Sequence, residues 1–317
     1  MYNKNNKVIV VLGPTASGKT KLGVDLAYKF NGEIINADSR QVYKKMDIGT
    51  GKDLKEYRLE KKSKNGEKHI INIPYHLIDI VHPNTHFNLS KYQKAAYKKI
   101  AEVLAKGKVP ILVGGSGLYL QAVVEGFNLS HTPPDPEKRK ELEEMDETEL
   151  FSKLEGINPV FAGRIKDSDR KNKRRLVRYI EICREQAEEG IRKQKTPYSF
   201  LLIGVSMEKN VLDQKIYKRL LERVEKEGMI QEVSGLHKNE GVSWKRLKQF
   251  GLEYRYIAEY LQEELGYEEM IEKLYTAIKR FSRRQMTWFR RWERQGADIC
   301  WVTKNKEAQR ISKNFLE

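Results

Sequence analysis

Val8 to Leu12 form an unbroken apolar run, the pattern of a strand buried on both faces. Small and polar residues follow. Then Leu22, Leu26, Ala27 and Phe30 recur at the spacing of a helix with one apolar face. Glu33-Ile34-Ile35-Asn36 predicts a second, short strand. The stretch from Gly49 to Glu67 is rich in Lys and Gly and is expected to be a surface loop. Apolar pieces recur around Ile70 to Ile73 and His76 to Ile80. Ser90, with Gln93 three residues later, has the form of a capping box. It opens a helix expected to run to about Lys106 and to stop at Gly107. Val109 to Val113 is another continuous apolar strand. Strands alternating with helices in this way predict an α/β fold with a parallel, doubly wound sheet.

The pattern changes at Pro133-Pro134-Asp135-Pro136, a break in any regular element. From there to about Pro197 the chain is charged and helical in period, with no strand candidate. Leu201 to Val205 is strand-like again. Beyond it the pattern is helical until Ile299 to Val302, a candidate last edge strand. The expected organisation is a P-loop α/β core from 1–127 and 199–317, helical in its C-terminal part, with an all-helical insertion at 128–198. No internal repeat or low-complexity tail interrupts it.

Composition adds a partner. Among 317 residues, Lys and Arg number 60 against 44 Asp and Glu, a net charge of +16. Such an excess favours a polyanion such as nucleic acid, although lysines interspersed with glutamates also make an ordinary solvated surface. No apolar run is long enough to span a bilayer, so no membrane contact is expected. Met1 to Asn6 lead straight into the first strand and leave no room for a signal peptide. Cys183 and Cys300 stand far apart and form no C-x-x-C pair, which suits a reducing, cytoplasmic setting. The histidines show no metal-ligand spacing.

The strongest chemical signal is Gly13-Pro14-Thr15-Ala16-Ser17-Gly18-Lys19-Thr20, which fits G-x-x-x-x-G-K-[ST] between a predicted strand and a predicted helix. This is the P-loop of nucleotide-binding and ATP-binding proteins. Backbone N–H groups wrap a phosphate, Lys19 adds positive charge, and the Thr20 hydroxyl is placed to ligate Mg²⁺. The motif leaves open which phosphate compound it holds. In an open parallel sheet ligands bind beyond the carboxyl ends of the strands, which brings Asp38, Gly114-Gly115-Ser116 and the region of Ser206 to the same edge. Asp38 is a candidate metal ligand or general base, or else a turn residue. Asp79 resembles a Walker-B carboxylate or a loop aspartate. Gly114-Gly115 would let a substrate approach the backbone, or simply make a turn.

Together with the P-loop, several stretches resemble the tRNA dimethylallyltransferases. They are Asn36-Ala37-Asp38-Ser39-Arg40-Gln41-Val42-Tyr43, Met46-Asp47-Ile48-Gly49-Thr50, His76-Leu77-Ile78-Asp79, Leu112 to Tyr119 and Arg283 to Arg290. The matches are in order and span nearly the whole chain. The resemblance implies transfer of a dimethylallyl group from dimethylallyl diphosphate to N6 of the adenosine 3′ to the anticodon. It implies Mg²⁺ as the cofactor, the tRNA anticodon stem-loop as partner, and a bacterial type without a C-terminal zinc module. A monomer is expected. Lys19, Thr20, Asp38 and Arg219 are then the catalytic set, with Asp38 as the base and Arg219 serving both substrates. Gly13 to Thr20 would hold the diphosphate. Asp38, Ser39, Arg40, Gln41, Ser116, Arg139, Arg174, Arg175, Arg178, Lys279, Arg280, Arg283, Arg284 and Gln285 would meet tRNA. Phe281, Trp288, Phe289 and Trp292, interleaved with the last cations, are read as core in preference to stacking platforms.

The chain departs from the family pattern in places. Gly51 and Asp53 stand where Ala and Pro are usual, and Lys171-Asn172 where Asn-Asp is common. Gly251-Leu252-Glu253 stands where Gly-Tyr-Lys or Gly-Tyr-Arg is usual. The competing functions are an isopentenyltransferase acting on free adenine nucleotides, a small-molecule kinase, and an NTP-dependent RNA-binding protein that gives Asp38 no role.

Overall fold

The computed structural model describes residues 6–62, 67–129, 136–185 and 195–317. The break at Pro133-Pro134-Asp135 lies outside them. The chain forms two compact units, Met1–Val124 with Thr196–Glu317, and Glu125–Lys195.

In the first unit β1 is Lys7–Leu12, α1 Lys19–Phe30, β2 Gly32–Asn36, β3 Arg58–Lys62, β4 Lys68–Asn72, β5 Tyr75–His76, α2 Leu89–Ala105, β6 Val109–Gly114 and α3 Gly117–Val124. In the second unit α4 is Pro136–Glu144, α5 Glu147–Ile157, α6 Pro159–Arg164, α7 Asp167–Arg170 and α8 Lys173–Glu185. The chain returns to the first unit as β7 Ser199–Val205, α9 Lys209–Glu225, α10 Met229–Lys238, α11 Trp244–Phe250, α12 Leu252–Leu261, α13 Tyr267–Arg294, β8 Ile299–Val302 and α14 Asn305–Leu316.

The six-stranded sheet has the order β5-β2-β6-β1-β7-β8, and every pairing in it is parallel. After β1 the chain first builds β2, β5 and β6 on one side and later β7 and β8 on the other. The order therefore reverses beside β1, and a crevice opens at its carboxyl end. Val8 to Leu12 are wholly buried because helices cover both faces. On one face Leu22, Leu26 and Phe30 of α1 pack with Leu316 of α14. On the other, Tyr92 and Ile100 of α2 and Leu120 of α3 pack with Phe289 and Trp292 of α13. Burying each such side chain contributes roughly 1.5–3 kcal/mol. A third cluster joins α9 to α13 with Val42 and Met46, which ties the C-terminal helices to the segment after β2. Phe289 and Trp292 are thus core, as expected.

Two local expectations change. The stretch from Gly49 to Glu67 is not all loop. Leu54–Tyr57 form a 3-10 turn, and β3 pairs antiparallel with β4. Tyr57 is buried against the α1 face, which anchors a hairpin that charge patterning alone reads as loop. The helix expected from Ser90 is capped instead by Asn88, whose side chain accepts from the Lys91 N–H at 2.9 Å. Gln93 is buried in that helix and donates to the Ala122 carbonyl, so it joins α2 to α3 and is no capping residue.

The second unit has its own small core of Leu142, Leu150, Leu154, Leu176 and Ile180. Its regular elements, α4 to α8, are all helices.

Candidate active site

The β1–α1 loop turns at Gly18, the residue before α1, whose φ of 84° lies in the left-handed region that favours glycine. This turn aims the first N–H groups of α1 into the crevice. The Ser17 hydroxyl is buried with no hydrogen-bond partner among the described residues. Lys19 Nζ donates to the Pro14 carbonyl at 3.2 Å and spans the loop. Burial pushes its pKa down to about 8; Asp38 opposes this and Arg219 reinforces it.

A cleft of about 1140 Å³ opens over this loop, within the first unit. Thr15, Lys19 and Thr20 line it with Asp38, Ser39, Arg40 and Gln41 from the end of β2, and with Arg219 from α9. The four residues expected to do chemistry, Lys19, Thr20, Asp38 and Arg219, therefore share one cavity. Asp38 accepts from the Arg40 N–H at 2.8 Å, and Ser116 Oγ accepts from the Ser39 N–H at 3.0 Å. These bonds fix the turn that presents the Asp38 carboxylate. Arg40 lies against the Phe250 ring, 5.4 Å from its centroid. Burial, only partly offset by Asp38, pushes its pKa down. The rest of the wall is mixed in charge, with Lys215, Lys218, Arg255, Lys273, Arg280 and Arg284 beside Asp53, Glu56, Glu222, Glu253, Glu269 and Glu272.

Several assignments change in the folded chain. Gln285 is buried, and its side chain is committed to backbone. Its carbonyl accepts from the Thr15 N–H at 2.9 Å and its amide donates to the Gly115 carbonyl at 2.9 Å. It is a brace between the P-loop and β6. Gly114 and Gly115 serve close packing within the protein. A Cβ at Gly114 would lie 2.1 Å from the Ala37 carbonyl oxygen, and one at Gly115 would lie 2.3 Å from Gln285 Nε2. Asp79 is no Walker-B carboxylate. It pairs with the buried Lys52, which also pairs with Asp47 at 2.7 Å and donates to the Tyr43 carbonyl at 2.5 Å. This strut holds the segment after β2 together.

On α13, Arg280, Arg283 and Arg284 are exposed, and among the described residues no carboxylate lies within ion-pair distance of them. Lys279 is half-buried over the Tyr275 ring and 3.8 Å from Asp213. In the second unit Arg139 and Arg178 both pair with the buried Glu181, at 2.7 and 2.9 Å, and Arg175 pairs with Asp169. Arg174 is exposed. The basic run there is half structural: part of its charge orders α4 and α8.

Sequence reasoning missed Glu232. Its carboxylate accepts from the N–H groups of Asp47, Ile48 and Gly49 at 2.8, 2.6 and 3.1 Å, and from the Tyr254 hydroxyl at 2.8 Å. It holds the loop that forms one wall of the cleft. Nothing in the chain near Glu232 signals this, because its partners lie far away in sequence.

The model for IPP transferases matches residues 41–292, and that for isopentenyl transferases matches 6–64. The chain is 46% identical over 298 residues to tRNA dimethylallyltransferase 1 of Syntrophus aciditrophicus, covering 93% of each. It is 44% identical to tRNA dimethylallyltransferase 2 of Citrifermentans bemidjiense, covering 95% of this chain and 92% of that one. The fold resembles a tRNA isopentenylpyrophosphate transferase of Bacillus halodurans, with a TM-score of 0.68, 33% identity and coverage of 98% and 97%. The P-loop, the aspartate turn after β2 and the cleft they share thus stand in a chain that, by similarity over nearly its full length, belongs to the tRNA dimethylallyltransferase family.

Proposed function

We propose that the protein transfers the dimethylallyl group of dimethylallyl diphosphate to N6 of the adenosine 3′ to the anticodon in tRNA. The observation that carries this reading is one cavity holding an anion-binding loop with Lys19, the Asp38 carboxylate and Arg219. The C1–O bond to the diphosphate breaks and an N6–C1 bond forms. The N6 proton passes to Asp38, and the diphosphate departs. Charge develops on the leaving oxygen, where Lys19, Arg219 and the α1 N-terminus stabilise it. The adenine must first leave the anticodon-loop stack, at a cost of a few kcal/mol that RNA contacts offset.

Mg²⁺ suits the oxygen donor that the P-loop presents, the Thr20 hydroxyl. Among the described residues no group of three or more His, Cys, Asp or Glu could hold a metal alone. Thr20 would therefore hold the ion jointly with diphosphate oxygens. When bound, Mg²⁺ neutralises charge on the diphosphate. We further place the protein in the cytoplasm, as a monomer. No helix among the described residues is long and apolar enough to cross a membrane. Light scattering with tRNA bound checks the monomer.

The direct experiment mixes the protein with undermodified tRNA, Mg²⁺ and labelled dimethylallyl diphosphate, beside arms with free AMP and with ATP. Label is expected in tRNA alone. Label in AMP, or ATP hydrolysis without prenyl transfer, would overturn the reading.

Diphosphate affinity should depend on pH through Lys19. Its ammonium form binds the anion, and its pKa in the free protein is pushed down to about 8. Affinity should therefore hold below pH 8 and fall by about tenfold per unit above it, with proton uptake on binding. Calorimetry in two buffers of different ionisation enthalpy reads both effects, and Lys19→Met should abolish the slope.

Binding of tRNA should weaken steeply with salt. Arg280→Gln combined with Arg284→Gln should shallow the slope of log K against log salt by about one to two units. An unchanged slope would place the RNA elsewhere.

A further inference from the structure

Gly51, Asp53 and Glu253 are three of the positions at which the chain departs from its family, and nothing in the sequence links them. In the fold all three line the cleft beside Arg219. Arg219, Arg223 and Glu253 also line a small recess next to Thr15 and Ala16 of the P-loop.

Arg223 is buried, and its Nη2 donates to both carboxylate oxygens of Asp53 at 3.0 Å. Its Nε lies 3.9 Å from Glu227. Arg219 stands one helical turn earlier on α9. Among the described residues no carboxylate lies within ion-pair distance of it, Glu253 included, and its one hydrogen bond is a 3.5 Å contact from Nη2 to the Thr15 hydroxyl. The two guanidiniums meet at Gly51. A Cβ there would lie 2.9 Å from Nη2 of each, at a φ of +69° that already favours glycine. An unpaired arginine beside a half-buried aspartate would ordinarily pair with it. Here both Asp53 oxygens already accept from Arg223, whose like charge also repels Arg219.

We propose that Arg223, tied to Asp53, is a positioning residue that keeps Arg219 unpaired at the rim of the P-loop, where it is free to take the diphosphate. The proposal rests on reading the P-loop as the diphosphate site. Without Arg223, Arg219 swings to Asp53 and its charge is neutralised before substrate arrives. With neither Arg223 nor Asp53, that trap is gone, and Glu56 and Glu253, which also line the cleft, lie beyond ion-pair distance of Arg219 among the described residues.

The test is a mutant cycle read by pyrophosphate binding in calorimetry and by steady-state kinetics. Arg223→Met should weaken pyrophosphate binding and raise KM for dimethylallyl diphosphate about tenfold. The KM for tRNA should stay within about twofold and kcat within about threefold. Asp53→Asn alone should change little. Asp53→Asn added to Arg223→Met should restore affinity to within about threefold of wild type. A purely structural role for Arg223 predicts the opposite, since the double variant would be no better than the single one. Unchanged pyrophosphate affinity in Arg223→Met, or failure of Asp53→Asn to restore it, overturns the proposal. If Arg223→Met does not fold, Arg223→Gln alone and combined with Asp53→Asn decides by the same comparison; equal pyrophosphate affinity in the single and double variants overturns the proposal. Wild-type protein that binds pyrophosphate but never prenylates tRNA would sink the functional reading and leave this inference standing.

Discussion

Asp38→Ala is expected to lower kcat by about 10²–10⁴-fold while the Kd for tRNA moves by less than about threefold. N6 of adenine is a poor nucleophile because its lone pair is delocalised into the ring. Its proton becomes acidic only as the bond to the allylic carbon forms, so a carboxylate within reach lowers the barrier at that moment. Asp38 lines the cleft with Lys19 and Thr20 and is held by the Arg40 N–H at 2.8 Å. Base and leaving-group site therefore face one substrate from two sides. Asp38→Asn should lose as much rate, because it keeps the hydrogen-bond acceptor for Arg40 but not the base. Single-turnover transfer at saturating tRNA, beside filter binding, separates the possibilities. A variant that turns over normally but no longer holds tRNA would make Asp38 a binding residue and put the base elsewhere.

Lys19→Ala is expected to cut the transfer rate by about 10²-fold or more, and to weaken pyrophosphate binding. The ammonium sits in the floor of the cleft, bonded to the Pro14 carbonyl, at the mouth of α1. Charge that develops on the departing diphosphate in this half-buried place is poorly screened by water, so one lost cation costs more than at the surface. Lys19→Arg should recover part of the binding and less of the rate, since the longer guanidinium does not fit the same loop. If Lys19→Ala transfers at the wild-type rate with saturating dimethylallyl diphosphate, the loop positions substrate without stabilising the leaving group.

Both predictions concern residues legible in the chain, and the reason is local. Lys19 and Thr20 belong to a motif whose spacing is set by one turn between one strand and one helix. Asp38 follows a strand whose apolar pattern is plain. Parallel pairing then carries the two carboxyl ends to the same edge, as the alternation of strands and helices predicts. The cationic surplus likewise pointed to a polyanion before any fold was known.

The sequence by itself determined the sheet, the P-loop, the place of Asp38 beside it and the helical stretch that interrupts the core, because each rests on contacts within a few residues or on a strict period. The tertiary structure alone decided how side chains of mixed character are used. Gln285, read as an RNA contact, became a brace for the Thr15 N–H. Asp79, open between a Walker-B carboxylate and a loop aspartate, became the partner of buried Lys52. Arg139 and Arg178 were drawn to Glu181, and Arg223 to Asp53. Glu232 gathered three N–H groups from a loop far away in the chain. A charged or amide group buried on folding must find a partner or leave a costly unpaired one. Which partner it finds depends on what the packing of distant helices brings within about 3 Å, and no local pattern records that.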